Sequence, residues 1–163
     1  MKKLSVVALI ILAVACAVFY VWYSHASIYW KLGAAQVNEP SDLHNYTFGN
    51  TQKPVLTYAA IGDSLTAGVG VTTYTQSFPY DIATLLASST HARVTLEPYA
   101  VPGVRTEYII DNFIAPVIAS KPDIITLLIG INDIHGNVSN ATFKAHYATI
   151  LQQLTSGTHA KIY

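Results

Sequence analysis

Three short apolar runs, each followed further along the chain by a segment of helical periodicity, most constrain the fold. The apolar runs are Val55 to Ile61, Val94 to Ala100 and Ile124 to Ile129, and they predict buried strands. Apolar residues three and four positions apart predict helices over Phe78 to Leu86, Glu107 to Ile118 and Ala141 to Leu154. Such alternation predicts an α/β domain with a parallel sheet covered on both faces and with ligand sites at the carboxyl ends of its strands.

The N-terminal segment differs in composition from the rest of the chain. Lys2 and Lys3 precede an uncharged stretch, Leu4 to Tyr23, whose length suffices for a helix across a hydrocarbon core of about 30 Å. Residues 1–26 are therefore predicted to be a transmembrane or signal helix. The positive-inside rule then places the remainder outside the cytoplasm.

Three forms of this N-terminal signal are compatible with the sequence. We prefer an uncleaved membrane anchor, because the apolar stretch exceeds the roughly 7 to 15 residues of a removable signal. A cleaved signal, which would make the protein secreted, and a lipoprotein signal ending at Cys16 are the alternatives.

Charge and cysteine content exclude several classes of function. Nine Lys and Arg residues balance nine Asp and Glu residues, so the chain has no basic field for a nucleic-acid backbone. The single cysteine, Cys16, excludes a disulfide framework and a cysteine-based metal site within the chain. Residues 27–53 show little periodicity and predict a linker, which leaves residues 54–163 as the one folded domain.

Groups suited to acyl transfer follow each of the predicted strands. Ser64 comes directly after the first strand, Gly103 after the second and Asn132 after the third. A hydroxyl, an unobstructed backbone N–H and a side-chain amide at one sheet edge are what a nucleophile and an oxyanion hole require. Each residue alone is equally typical of a helix cap or a turn. Their coincidence favours acyl transfer.

These residues resemble the SGNH or GDSL-type hydrolases, a family of esterases and lipases with a flavodoxin-like, three-layer α/β/α fold. The similar blocks are Gly62-Asp63-Ser64-Leu65, Gly103 and Gly130-Ile131-Asn132-Asp133, which correspond to the nucleophile block, the glycine block and the Gly-x-Asn-Asp block. The resemblance covers the chain from about Val55 to Tyr163.

The resemblance implies a role for each matched residue and no metal or organic cofactor. Ser64 would be the nucleophile, and the oxyanion hole would be formed by the Ser64 N–H, the Gly103 N–H and the Asn132 amide. The remaining matched positions would support the loops without reacting: Gly62, Asp63, Gly130 and Asp133.

One block of the family has no counterpart in the chain. The Asp-x-x-His segment would supply the general base and its orienting carboxylate, and no Asp here has His three residues later. The sequence shows no orienting partner for His135, His146 or His159. Because Ala160 to Tyr163 predict the opening of a further strand, we expect a C-terminally incomplete copy of a longer enzyme.

The sequence thus predicts a membrane-anchored, extracytoplasmic serine ester hydrolase without its catalytic Asp-x-x-His. Its partners would be small-molecule, lipid or glycan esters and, through the N-terminal helix, a membrane, but no nucleic acid. The alternative is a non-catalytic, membrane-anchored binding module or pseudo-enzyme of the same fold that kept the pocket without the base.

Overall fold

The computed structural model describes residues 12–24, 43–49 and 54–163, which belong to two compact units divided after Val37. In the first unit, residues 12–24 are helical. Within the described ranges, no helix is both long and apolar enough to cross a bilayer, so the predicted membrane helix is not supported. Residues 1–11 and 25–26 of that prediction lie outside the described residues.

The second unit is built on one sheet, to which the described residues contribute five strands. They are β1 (Tyr46–Phe48), β2 (Val55–Gly62), β3 (Arg93–Ala100), β4 (Ile124–Leu128) and β5 (Lys161–Ile162), in the spatial order β1-β3-β2-β4-β5. Strands β2 to β5 pair in parallel, whereas β1 pairs antiparallel with β3. The predicted strands therefore pair in parallel as expected, but the unpredicted β1 makes the five-stranded sheet mixed rather than parallel throughout.

Strand β1 lies within the stretch that the sequence predicts as a linker. Its three residues are too few to show a period, and contacts distant in sequence hold it in place. The Tyr46 ring stacks on Tyr74 with centroids 5.5 Å apart, and Phe48 meets the Tyr80 ring edge-on at 4.7 Å. Such aromatic pairs contribute about 0.5–1.5 kcal/mol each beyond the area that they bury.

The helices reproduce the predicted periodic segments, with one division and one addition. They are α1 (Phe78–Thr90), α2 (Thr106–Asn112), α3 (Ile114–Ser120), α4 (Ile131–His135) and α5 (Asn140–Gly157). The predicted helix over Glu107 to Ile118 is divided at Phe113, because Pro116 has no N–H to donate to the Asn112 carbonyl. Helix α4 was not predicted, since a single turn carries no hydrophobic period.

Helices cover both faces of the sheet, as predicted. Along β2, Ala59 and Ile61 point to one side, and Tyr58 and Ala60 point to the other. The first side packs against buried residues of α2, α3 and α5: Ile109, Ile114, Val117, Ile150 and Leu154. The second side packs against Ala83 of α1 and Tyr74 of the preceding turn. The domain is a three-layer α/β/α structure with β2 at the centre of its sheet.

Candidate active site

Ser64 lies in the turn that follows β2. The turn has a helical form, since the Ala67 N–H donates to the Asp63 carbonyl at 2.9 Å and the Val69 N–H to the Ser64 carbonyl at 2.8 Å. Ser64 itself is partly exposed, and its hydroxyl makes no hydrogen bond within the described residues. The hydroxyl is therefore open to a ligand that approaches the carboxyl edge of the sheet.

Gly62 allows this turn to close tightly against β4. A Cβ at this position would lie 2.5 Å from the Leu128 carbonyl oxygen and 2.8 Å from the Thr66 Cβ. Real Cβ atoms do not approach other atoms so closely. The glycine of the Gly-Asp-Ser sequence is thus explained by packing, because Thr66 is fully buried against it.

Asp63 and Asn132 connect the Ser64 turn to the loop after β4. Asp63 is 2% exposed; its Oδ1 accepts the Leu65 N–H at 3.2 Å, and its Oδ2 accepts the Asn132 amide at 3.3 Å. The same amide nitrogen donates to the Val104 carbonyl at 3.0 Å. Three loops that follow β2, β3 and β4 are therefore joined through one side-chain amide.

Both N–H groups of the Asn132 amide thus have acceptors within the protein. An asparagine amide has two hydrogens to donate, and neither is left free for an incoming oxyanion. The Asp63 bond is the longer of the two. Asn132 lies where the sequence predicted it, at the carboxyl edge beside the Ser64 turn, but with its donors occupied.

Asp133 also joins two of these loops, the one after β3 and the one after β4. Its carboxylate is 1% exposed and accepts the Thr106 N–H at 3.1 Å and the Thr106 hydroxyl at 2.6 Å. The first bond satisfies a backbone N–H at the start of α2, where Arg105 as the N-cap provides no side-chain acceptor. The Asp133 carboxylate therefore connects the loop after β4 to the start of α2.

Two of the three glycines of the predicted site, Gly103 and Gly130, have positive φ angles, and their surroundings differ. Gly130 has φ +131°, and a Cβ there would lie 2.9 Å from the Phe143 ring, so it is also constrained by packing. Gly103 has φ +79°, with no atom within 4 Å of where its Cβ would stand. Gly103 is exposed, which leaves its surroundings open for a ligand.

The described residues place no imidazole on the Ser64 hydroxyl. His135 and His159 are exposed, and His146 lies within hydrogen-bond distance of Thr106 instead. The sequence showed no partner for His146, and the structure corrects this. Thr106 was missed because a hydroxyl at the first turn of a helix has no signal beyond that of an ordinary cap.

No metal-ligand cluster of three His, Cys, Asp or Glu side chains occurs in the part of the chain that the structure describes. A cavity of about 610 Å³ lies at the opposite, amino-terminal end of β4, against Lys121, Asp123 and Lys161. His159 lines this cavity, but Ser64, Gly103 and Asn132 do not. The carboxyl edge around Ser64 is therefore the candidate site, although it is open rather than enclosed.

Ser64 follows the central strand, and the carboxylate of its neighbour Asp63 accepts the Asn132 amide from the loop after the adjacent strand. Residues 60–163 match the GDSL-like lipase/acylhydrolase family. The chain belongs to that family.

Several solved structures share the fold. AlinE4, an SGNH-hydrolase family esterase, is 29% identical and superimposes with a TM-score of 0.55 over 63% of this chain and 55% of its own. TesA is 20% identical, with a TM-score of 0.59 over 65% of this chain and 57% of its own. The esterase EstA from Pseudoalteromonas sp., in a structure inhibited by monoethylphosphonate, is 13% identical, with a TM-score of 0.55 over 65% and 56%.

The last two similarities concern the fold alone. The chain spans little more than half the length of these three structures. A sequence search of curated proteins found no match.

Proposed function

We propose that the chain carries the nucleophile and oxyanion-hole part of an ester hydrolase. The observation that carries this proposal is the bond between Asp63 and Asn132, which brings together two motif blocks 69 positions apart. This bond joins the turn that carries the partly exposed Ser64 to the residue that we propose as an oxyanion donor. Membership of a lipase and acylhydrolase family supports the same chemistry.

In the proposed reaction the Ser64 Oγ forms a bond to the acyl carbon of an ester. The π electrons of the carbonyl move to its oxygen, and collapse of this intermediate expels the alcohol and leaves an acyl-serine. Water then attacks the acyl-serine and releases the acid. The hydroxyl proton requires an acceptor, and we propose the Asp-x-x-His block of the family, which residues 1–163 do not contain.

The developing oxyanion needs donors that are aimed at it. We propose that the substrate oxygen takes the Asn132 N–H that Asp63 accepts at 3.3 Å, while the 3.0 Å bond to Val104 keeps the amide in place. The backbone N–H groups of Ser64 and Gly103 would complete the hole. The substrate oxygen would replace the long bond to Asp63 and leave the shorter bond to Val104 intact. A donor that is used only when charge develops on that oxygen favours the transition state over the ground state.

Apolar side chains beside the reacting groups support an acyl substrate. Leu65 follows Ser64 and is 57% exposed, and Ile131 and Ile134 flank Asn132 with 48% and 71% exposure. Small-molecule, lipid and glycan esters all carry an acyl group that such residues could contact.

We further propose that an N-terminal anchor holds the domain outside the cytoplasm. The composition of residues 1–26 supports this proposal.

A non-catalytic binding module is the second candidate. It is favoured by one observation, the absence of any hydrogen-bond partner for the Ser64 hydroxyl within the described residues. A module of this kind would hold an ester without cleaving it.

Chemical rescue by imidazole separates the two functions. The full chain is incubated with an activated aryl ester and increasing imidazole, and the rate with Ser64→Ala is subtracted at each concentration. A rate that depends on Ser64 and rises with imidazole supports the hydrolase, because imidazole can accept the hydroxyl proton.

Covalent labelling gives an independent readout of the nucleophile. A fluorophosphonate probe should label Ser64 and not the Ser64→Ala variant, whereas the exposed Ser88 of α1 offers a matched control, Ser88→Ala, that keeps labelling. Labelling that persists in Ser64→Ala contradicts the nucleophile assignment. Binding of the ester without either labelling or rescue supports the binding module.

A further inference from the structure

A chain of hydrogen bonds runs from the buried Asp133 through the buried Thr106 to the partly buried His146. The Thr106 hydroxyl donates to the Asp133 carboxylate at 2.6 Å, and the His146 Nδ1 lies 3.1 Å from the same hydroxyl. Thr106 is fully buried and Asp133 is 1% exposed. The three residues come from the start of α2, from α4 and from α5, so the chain connects three separate helices.

The direction of each bond follows from the donor inventory. A hydroxyl has one hydrogen, and Thr106 gives it to Asp133. The His146 Nδ1 must therefore carry a hydrogen and donate it to the Thr106 oxygen. This arrangement requires the Nδ1–H tautomer whenever the imidazole is neutral.

Two residues of this hydrogen-bond chain are close in sequence to Asn132 or to its acceptor Val104. Asp133 is the next residue after Asn132, and Asn132 donates to the carbonyl of Val104, two residues before Thr106. The loop after β3 and the loop after β4 are thus tied twice, once by each residue of the Asn132-Asp133 pair. The Arg105 guanidinium, which lies against Gly136 at the end of α4, adds a further contact between the same loops.

We propose that Thr106 and His146 are positioning residues that hold Asp133 and, through it, the amide of Asn132. Their effect on catalysis rests on the proposed function, but the positioning itself can be measured without any reaction. His146 sets the orientation of the Thr106 hydroxyl, and that hydroxyl fixes the carboxylate beside the amide. Loss of either link should let the Asn132 side chain move.

The first test is the tautomer of His146 in the full chain. With ¹⁵N-labelled histidine, the His146 Nδ1 should give a protonated, pyrrole-type signal and its Nε2 the unprotonated type. Thr106→Val should abolish this preference. An Nε2–H tautomer in the unsubstituted chain overturns the proposal.

The second test follows the Asn132 side-chain amide by NMR. Thr106→Val and His146→Gln should shift and broaden its two N–H signals, whereas Thr106→Ser and His146→Asn should leave them near their original positions. Serine keeps the hydroxyl, and the Asn amide nitrogen occupies the place of Nδ1 on Cγ, which the longer Gln cannot. Unchanged signals in Thr106→Val overturn the proposal.

Thr126→Val is the matched control, because it breaks a side-chain bond of 2.8 Å to Tyr58 that lies within the sheet and away from these loops. It should lower thermal stability without moving the Asn132 signals. If Thr106→Val fails to fold, the contrast between His146→Asn and His146→Gln decides alone. Equal Asn132 signals in those two variants count against the proposal.

Activity provides the last comparison and separates this inference from the proposed function. In the imidazole-supported reaction, Thr106→Val should lower kcat about 10- to 100-fold with KM changed less than about twofold, since a displaced donor loses transition-state stabilisation. A chain that shows the NMR effects without any Ser64-dependent hydrolysis supports the positioning and contradicts the hydrolase. Hydrolysis that is unaffected by Thr106→Val contradicts the positioning alone.

Discussion

The amide of Asn132 donates to the carboxylate of Asp63 at 3.3 Å and so closes the Ser64 turn against the loop after β4. The two residues are 69 positions apart in the sequence. They can form this bond because β2 and β4 are adjacent strands whose residues Gly62 and Leu128 are paired. One N–H of the Asn132 amide is therefore held by a buried carboxylate. For Asn132 to act as the proposed oxyanion donor, substrate binding has to break that bond.

Replacement of Asn132 by Ala should lower kcat for the imidazole-supported reaction by roughly 100- to 1000-fold and change KM little. An oxyanion donor acts in the transition state and contributes little to substrate binding. Asn112→Ala is the matched control, since its amide donates to the Tyr108 carbonyl at 3.0 Å on an exposed surface. If Asn132→Ala costs only about 1 kcal/mol of stability and leaves kcat unchanged, Asn132 serves as a cap or tie alone.

Replacement of Asp63 by Asn should reduce the free energy of unfolding by about 1–3 kcal/mol. In the folded protein the two carboxylate oxygens of Asp63 each accept one N–H, from Leu65 and from the Asn132 amide. The Asn side chain has only one acceptor oxygen, so its buried NH₂ group would face one of these two donors. Asp81→Asn, at an exposed position in the first turn of α1, should cost less than about 1 kcal/mol. Urea unfolding of both variants measures the difference, and equal losses would remove the special role of the buried carboxylate.

Two glycines near Ser64 should respond differently to alanine. Gly62→Ala places a Cβ 2.5 Å from the Leu128 carbonyl oxygen, a backbone atom that cannot move alone, and should cost about 1–3 kcal/mol or more. Gly70→Ala meets no atom within 4 Å and loses only the freedom to adopt φ +99°, at a cost of about 1–2 kcal/mol.

The activities of these two variants should diverge further than their stabilities. Gly62→Ala forces β4 away from β2 and with it Asn132 away from Ser64, so Ser64 labelling by the fluorophosphonate should slow in the folded protein. Gly70→Ala should leave that labelling rate unchanged. A Gly62→Ala protein with normal stability and labelling would show that β4 does not pack as closely as described.

Alkaline pH should destabilise the domain through its buried tyrosines. Burial raises the pKa of Tyr58 to about 12, although its hydrogen bond to Thr126 acts in the opposite direction. Burial also raises the pKa of Tyr74. Because an unfolded tyrosine ionises near pH 10, the stabilising effect of a neutral Tyr58 is complete below about pH 10 and is lost as pH rises towards 12.

The size of this loss should be on the order of 2 kcal/mol for Tyr58. Urea unfolding at several pH values between about 9 and 12 measures it, and Tyr58→Phe should show a shallower fall because the contribution of Tyr58 is removed. Parallel pH profiles for the two proteins would contradict the assignment to Tyr58.

The sequence predicted the central strands, the long helices and the edge of the sheet that carries the site, because these follow from local periodicity. Val55–Gly62 and Asn140–Gly157 differ from their predicted bounds by only a few residues. Ser64, Gly103 and Asn132 each follow a strand, as predicted, because parallel connections bring carboxyl ends to one edge.

What the sequence did not predict depends on contacts between distant residues. The antiparallel strand β1 is too short for a periodic signal and is held by rings such as that of Tyr74. The bond between Thr106 and His146 joins positions 40 apart and leaves no local pattern in either segment. The occupation of the Asn132 amide by Asp63 and Val104 likewise follows from tertiary geometry and not from the motif.

The parallel pairing of β2 with β4 also determines what a misfolded form of this domain would look like. Each residue advances a strand by about 3.3 Å and reverses the side to which its side chain points. If β4 slipped by one residue relative to β2 at the pair formed by Gly62 and Leu128, Asn132 would move by about 3.3 Å in the strand direction. The slip would also exchange the two faces of β4. The reactive geometry is in this sense encoded by strand alignment, and a compact but misaligned sheet would retain every motif residue and still lack the site.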